Sequence, residues 1–148
     1  STLHTNSAVS SMGRLLNMGV ESYLLADSLR GVVAQRLIRR LCPYCKEKYL
    51  ASEEEKKTLG VDYPVFLYRA TGCARCNNTG YQGRFAIFEV LQVTPEVEHM
   101  LQSGEEVSKI AARLEEREDY QTLAQSVKKA ILKGETSMQE IKEVDIDD

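Results

Sequence analysis

Four cysteines stand as two matched pairs, Cys42-Pro43-Tyr44-Cys45 and Cys73-Ala74-Arg75-Cys76, and they account for every cysteine in the 148 residues. A C-x-x-C pair places two sulfurs on one tight turn, within reach of a shared metal ion. Two such turns supply the four soft ligands of a tetrahedral zinc site. Between Cys45 and Cys73 lie 27 residues, more than the roughly 15–20 of a minimal zinc ribbon, which predicts a small inserted lobe closed by the metal. Two disulfides or four inert buried thiols are the alternatives. Disulfides need an oxidising compartment, and the sequence shows neither a signal-peptide pattern nor an apolar run of membrane length. No thioredoxin-like strand–turn–helix pattern surrounds either pair, which argues against a redox dithiol. His4 and His99 are far from the cysteines in sequence, so the four-sulfur shell predicted here is closed and structural, with no open position for chemistry.

Apolar residues make up 43% of the chain and charged residues 28%, enough for a packed core with a solvated surface. The length allows one ordinary domain or two small ones. A net charge of −3 argues against nucleic acid as a partner, since such binders carry a basic surplus. The chain opens at Ser1 without a methionine, which reads as a piece of a longer protein.

The expected order is α/β, with a cysteine lobe and then helices. Residues 1–6 read as a strand end. Ser7 is placed to cap a helix with Val9, Met12, Leu15 and Leu16 on one face and Gly19 as its stop. A second helix is expected from Ser22 to Arg30. Val32 to Leu41 fits either a helix or a strand, and its β-branched start favours a strand. The lobe, residues 42–83, holds a charge run at 53–57 that suits one or two helical turns, and an aromatic–aliphatic patch at Val65 to Tyr68. Phe85 to Val93 is apolar on both alternating faces apart from Glu89 and Gln92, which predicts a strand covered on both sides. Thr94-Pro95-Glu96 reads as a helix start, with Gly104 as the stop. Further helices are expected around Val107 to Leu114 and from Asp119 to Gly134, and Ser137 to Glu140 reads as a capping box. The acidic tail after it is expected to fray. The boundaries that follow are 1–41, 42–83, 84–93 and 94–148.

Catalytic motifs are scarce. No phosphate-binding G-x-x-x-x-G-K-[ST] loop, G-x-S-x-G elbow or paired-histidine metal motif occurs in these residues. His4, at a strand end among Thr2, Thr5 and Asn6, is the one catalytic candidate, because α/β folds place sites at strand ends; a hydrogen-bonded structural histidine is the alternative. His99 reads as surface. Arg36, Arg39 and Arg40 are either a phosphate- or acid-facing cluster or a salt-bridged face.

Several ordered blocks then resemble a known family. Ser-Thr-Leu-His-Thr-Asn-Ser-Ala (1–8) is similar to the histidine box of the ATPases that drive type II secretion and type IV pilus assembly. The resemblance continues through Arg14 to Val20, Ala34 to Pro43 and Gly72 to Arg84, and so covers about residues 1–93. The cysteine lobe resembles the secretion and assembly motors and not the pilus-retraction motors.

The resemblance implies the C-terminal part of a RecA-like ATPase core with an inserted four-cysteine zinc lobe and a C-terminal helical cluster. It implies a hexameric ring at the inner face of the cytoplasmic membrane. Neighbouring subunits and the cytoplasmic parts of inner-membrane secretion or pilus components are the implied partners, with no membrane insertion of its own. His4 would lie near the terminal phosphate of ATP. Gln35 and Arg36 would have structural or subunit-contact roles. ATP and Mg2+ would belong to the intact motor, since the family's phosphate-binding loop, magnesium-binding acidic segment and aspartate box match nothing here. A free-standing zinc-stabilised module binding protein or nucleic acid is the alternative function.

Overall fold

The computed structural model describes residues 2–3 and 7–144. In chain order the elements are α1 (Ala8–Asn17), α2 (Ser22–Ser28), β1 (Gly31–Leu41), β2 (Glu47–Leu50), α3 (Glu53–Leu59), β3 (Phe66–Arg69), β4 (Tyr81–Gln92), α4 (Pro95–Gln102), α5 (Val107–Glu115) and α6 (Leu123–Leu132), with 3-10 turns at Ala74–Cys76 and Met138–Glu143. The fold is mixed α/β, as expected. β1 pairs with β4, and β2 pairs with β3, in two separate two-stranded sheets. The chain divides into two compact units. One holds the stretch up to Gln35 with Phe88–Leu123, and the other holds Arg36–Ile87 with the stretch beginning at Ala124.

In the first unit, helix starts and stops follow local chemistry. Ser7 is extended and its Oγ accepts the Ser10 N–H at 3.0 Å, which satisfies one of the free donors of the first turn of α1. Gly19 turns the chain out of that helix at φ +95°. α2 ends before Arg30 because Leu29 is already extended. Thr94 Oγ1 accepts the Val97 N–H ahead of α4, with Pro95 in the first turn. α1 packs on α5 and α2 on α4, burying Met12, Leu25, Leu101 and Ile110.

The two-sided covering expected of the strand at Phe85 to Val93 is corrected. β4 begins earlier, at Tyr81, and only one of its faces is covered: Ile87, Glu89 and Leu91 are buried, while Phe88 and Val90 are 50% and 59% exposed. Side chains alternate across the pleat, so burying Glu89 turns its apolar neighbours outward. The Glu89 carboxylate accepts the Ala8 N–H at 2.8 Å, the Tyr120 hydroxyl at 2.8 Å and the Leu123 N–H at 2.9 Å. A buried carboxylate is tolerated when several donors hold it. These bonds also explain why α6 opens at Leu123 and not at Asp119. Tyr120 is drawn into the core by its hydroxyl, and Asp119 pairs instead with Arg117, Oδ2 to Nη2 at 2.7 Å.

In the second unit Ile38, Leu41, Ile87, Val127 and Ile131 are buried, while the cysteine lobe itself buries few apolar side chains beyond Ala51, Leu59 and Leu67. β2 and β3 run antiparallel, with Glu47 opposite Arg69 and Leu50 opposite Phe66. The charge run forms α3, started by a reciprocal pair in which Ser52 Oγ accepts the Glu55 N–H and Glu55 Oε1 accepts the Ser52 N–H. The expected capping box at Ser137 to Glu140 does not form. Ser137 Oγ bonds the Tyr81 hydroxyl at 2.6 Å, and Glu140, 1% exposed, accepts Arg39 Nε at 2.6 Å. With both side chains engaged elsewhere, the segment closes as a 3-10 turn.

Candidate metal centre

β1 ends at Leu41 and delivers Cys42 directly into the first turn, where its N–H donates to Gly80 O at 3.0 Å. The Cys42 carbonyl accepts the Lys46 N–H at 3.1 Å and closes the turn that carries Cys45. The second pair sits on the 3-10 turn at Ala74–Cys76. It is closed by the Asn78 N–H donating to Cys73 O at 2.8 Å, with Asn77 and Asn78 both left-handed at φ 54° and 63°. Asparagine tolerates that region better than most residues.

These two turns bring all four Sγ atoms within 4.8 Å of one another. Cys42–Cys73, Cys45–Cys76 and Cys73–Cys76 are each separated by 3.8 Å. Four sulfurs at the usual zinc–sulfur bond length would define a tetrahedron with edges of about 3.8 Å. A disulfide would need sulfurs at about 2.05 Å, and the four cysteines are free. Cys42 and Cys76 are buried, and Cys45 and Cys73 are half-buried.

Backbone donors point at the sulfurs. The Gly72 N–H donates to Cys45 Sγ at 3.3 Å, the Gly80 N–H to Cys76 Sγ at 3.2 Å and the Cys73 N–H to Cys76 Sγ at 3.3 Å. Such bonds favour the thiolate. Burial pushes the Cys76 thiol up, but the N–H groups of Cys73 and Gly80 outweigh it and bring it down to about 6. The Thr71 side chain lowers Cys45 against its burial, with help from the Gly72 N–H. Burial pushes Cys42 up to about 11. The donor set is therefore soft, partly anionic and fit for one thiophilic divalent cation, and four ligands leave that ion no open position.

Two glycines make the turns possible. Gly80, at φ +83°, would place a Cβ 2.5 Å from Ala70 Cβ, and Gly72, at φ +107°, would place one 3.0 Å from Asn78 O. The sequence reading found the four sulfurs but not these glycine N–H donors; the only sequence sign is that each follows or precedes a cysteine pair closely.

The other candidates are placed as follows. His4 lies outside the described residues. His99 is on α4, apart from the cysteine cluster in sequence. Arg39 does not face an open site. It is bound to Glu140, its guanidinium lies 4.0 Å from the Tyr81 ring centroid, and its carbonyl accepts the Thr136 hydroxyl at 2.7 Å. Arg40 lies over the Phe85 ring at 4.7 Å. Gln35 and Arg36 lie on β1.

A family model described as type II/IV secretion system protein matches residues 1–143. The chain belongs to that family. Within the type II/IV secretion system family it is 50% identical, over 70% of its length, to the type II secretion system ATPase E of Vibrio cholerae, covering 21% of that protein. It is 40% identical to the type II secretion system protein E of Dickeya dadantii, over 95% of this chain and 28% of that one. It is also 37% identical to the type IV pilus assembly ATPase PilB of Thermus thermophilus, over 95% of this chain and 16% of that one. The chain thus spans well under a third of the length of these relatives. No helix among the described residues is long and apolar enough to cross a membrane.

Proposed function

We propose that this chain is the C-terminal segment of a hexameric ATPase that powers type II protein export or type IV pilus assembly, and that its own contribution is architectural. The observation that carries the reading is the four-sulfur cluster inside a family match running over residues 1–143. Relatives named as a type II secretion ATPase and a pilus assembly ATPase support the motor class. On this reading residues 1–41 and 84–93 belong to a RecA-like core, 42–83 form the zinc lobe and 94–148 form a helical subdomain. The ring would work at the inner face of the cytoplasmic membrane, against neighbouring subunits and the cytoplasmic parts of membrane components.

Cys42, Cys45, Cys73 and Cys76 would hold one Zn2+, which would cross-link the lobe and take no part in ATP chemistry. The phosphate-binding loop and the magnesium ligands would come from elsewhere in the polypeptide, and His4 would act near the terminal phosphate. In the full-length protein, light scattering should find a hexamer, elemental analysis one zinc per chain, and turnover of ATP should require Mg2+. A zinc-loaded protein that stays monomeric and turns over no ATP would reject the motor reading and leave the metal lobe standing.

A further inference from the structure

The net charge of −3 conceals a partition between the two compact units. Over the described residues of the first, 7–35 and 88–123, 11 acidic side chains stand against 5 basic ones, a net of −6. Over those of the second, 36–87 and 124–144, 14 basic side chains stand against 8 acidic ones, a net of +6. A divalent ion on four thiolates would lower the second figure to about +4. The two units therefore carry opposite surpluses.

Each surplus resides on exposed side chains with no opposite charge beside them. In the second unit the segments 36–41 and 81–87 hold Arg36, Arg39, Arg40 and Arg84 and no acid. Arg39 is bound to Glu140. Arg40, Arg84 and, on the second cysteine turn, Arg75 are exposed, and among the described residues no carboxylate lies within ion-pair distance of them. Arg40 lies 4.7 Å from the Phe85 ring centroid and Arg75 4.0 Å from that of Tyr44. Stacking of this kind sets the plane of a guanidinium and leaves its N–H edge for an acceptor. In the first unit, residues 96–119 hold eight acids against three Lys and Arg residues. Those three are already engaged: Lys109 with Glu105 at 3.6 Å, Arg113 with Glu96 and Glu116, and Arg117 with Asp119. Glu115 and Glu118 are exposed and have no such partner among the described residues.

We infer that the basic surface of the second unit, carried by Arg40, Arg75 and Arg84, docks against the acidic first unit of a second copy of this chain, where Glu115 and Glu118 accept from it. Both signs reside on one chain, so every copy offers both halves of the contact. Opposite charge steers the approach, and like charge rejects the two symmetric pairings in which a unit meets its own kind. A contact between two different surfaces is head-to-tail, and it closes into a ring where the rotation allows. The inference rests on the ring reading for its setting in the full-length protein, while the contact itself can be measured in this chain alone.

The test is sedimentation of the zinc-loaded chain across a range of concentrations. At low salt it should self-associate, and near 1 M salt, where screening cuts the reach of a charge to about 3 Å, the affinity should fall about tenfold or more. Arg40→Glu with Arg84→Glu should leave the chain monomeric, and so should Glu115→Lys with Glu118→Lys. Both variants should keep their zinc and their circular dichroism, because all four side chains are exposed. Mixing the two variants should restore association, since one keeps an intact acidic face and the other an intact basic one. A chain carrying all four reversals has the wild-type net charge and should associate with itself again, which an effect of net charge alone would not produce. No association at low salt, indifference to both reversals, or no recovery in the mixture would each overturn the proposal. In the full-length protein, a hexamer that survives either reversal would overturn the contact and keep the ring. A full-length protein without a hexamer, beside recovered pairing in this chain, would reject the ring and keep the contact.

Discussion

Single side chains at long sequence distance fix this fold, and Glu89 is the clearest case. Three donors, each 31 or more residues from it in sequence, converge on one buried carboxylate, 2% exposed. Removing the carboxylate leaves those donors without partners in a dry site, where each is worth about 1–3 kcal/mol. Glu89→Ala should therefore lower the urea-unfolding free energy by about 3–5 kcal/mol, while Tyr120→Phe, which deletes one donor only, should cost about 1–2 kcal/mol. A Glu89→Ala loss below that of Tyr120→Phe would show that the hub is not what holds α1 and the start of α6. The glycines give a second residue-scale contrast. Gly80 and Gly60 both sit at positive φ, +83° and +75°, but a Cβ at Gly80 meets Ala70 at 2.5 Å whereas one at Gly60 meets nothing within 4 Å. Gly60→Ala should cost about 1–2 kcal/mol from the left-handed backbone alone. Gly80→Ala should cost clearly more and should also weaken metal retention, since its N–H is a donor to Cys76. Equal melting shifts for the two variants would contradict the packing argument.

At the scale of elements, what was legible in the sequence is what is decided locally. Ser7, Thr94 with Pro95, Gly19 and Gly104 each act within a turn of the helix they bound, so their reading carried over. Asp119, Ser137 and Glu140 look like the same signals, yet the helix near Asp119 starts later and the Ser137 box never closes. Their neighbours Tyr120 and Tyr81, and the distant Arg39, claim the hydrogen bonds first. Pattern alone also put Glu89 in the role of an interruption in an apolar strand, because three distant donors leave no mark on its own segment. The cysteine cluster was readable for the opposite reason: each pair is a local turn, and two turns of one chemistry have a natural common partner. The cysteine lobe buries few apolar side chains, and six cation–ring contacts lie between residues 39 and 85. Those contacts are individually small, so the β2–β3 pair with α3 should depend on metal. Chelation, or Cys73→Ser, should abolish slow hydrogen exchange in β2, α3 and β3 but leave α4 and α5 protected, because their buried stripes do not include the cysteine turns. Acid should loosen α3 by a separate route. Burial pushes the Glu55 carboxyl up, but the bonds from Ser52 and Tyr49 more than offset this and hold it below the usual carboxylate range. The stability that it adds is then complete above the ordinary glutamate pKa and is lost as the pH falls through the lowered value. Glu55→Gln should flatten that part of the acid unfolding curve of α3; an unchanged curve would remove Glu55 from the account.

For the molecule as a whole, the decisive question is whether these 148 residues bind ATP by themselves. ATP binding in P-loop ATPases rests on backbone N–H groups of a glycine-rich loop, its lysine, a hydroxyl on magnesium and an acidic partner. None of those sequence elements occurs here, and a lone histidine cannot hold a triphosphate against water. Calorimetric titration of this chain with a non-hydrolysable ATP analogue and Mg2+ should therefore give no saturable heat at micromolar concentrations. A clean isotherm would mean that a nucleotide site exists where the sequence offers no cradle. On the proposed reading, the histidine acts only in the full-length protein. If His4 meets the terminal phosphate or the attacking water, its contact strengthens as charge moves, so His4→Ala should lower kcat far more than it weakens nucleotide affinity. Should the same residue also link neighbouring subunits, the loss would be larger in the hexamer than in the monomer. Measuring kcat and nucleotide Kd for both proteins in both assembly states separates the two roles. Equal loss in both states keeps the phosphate contact and removes the subunit link, whereas unchanged turnover in a normal hexamer removes His4 from the catalytic account.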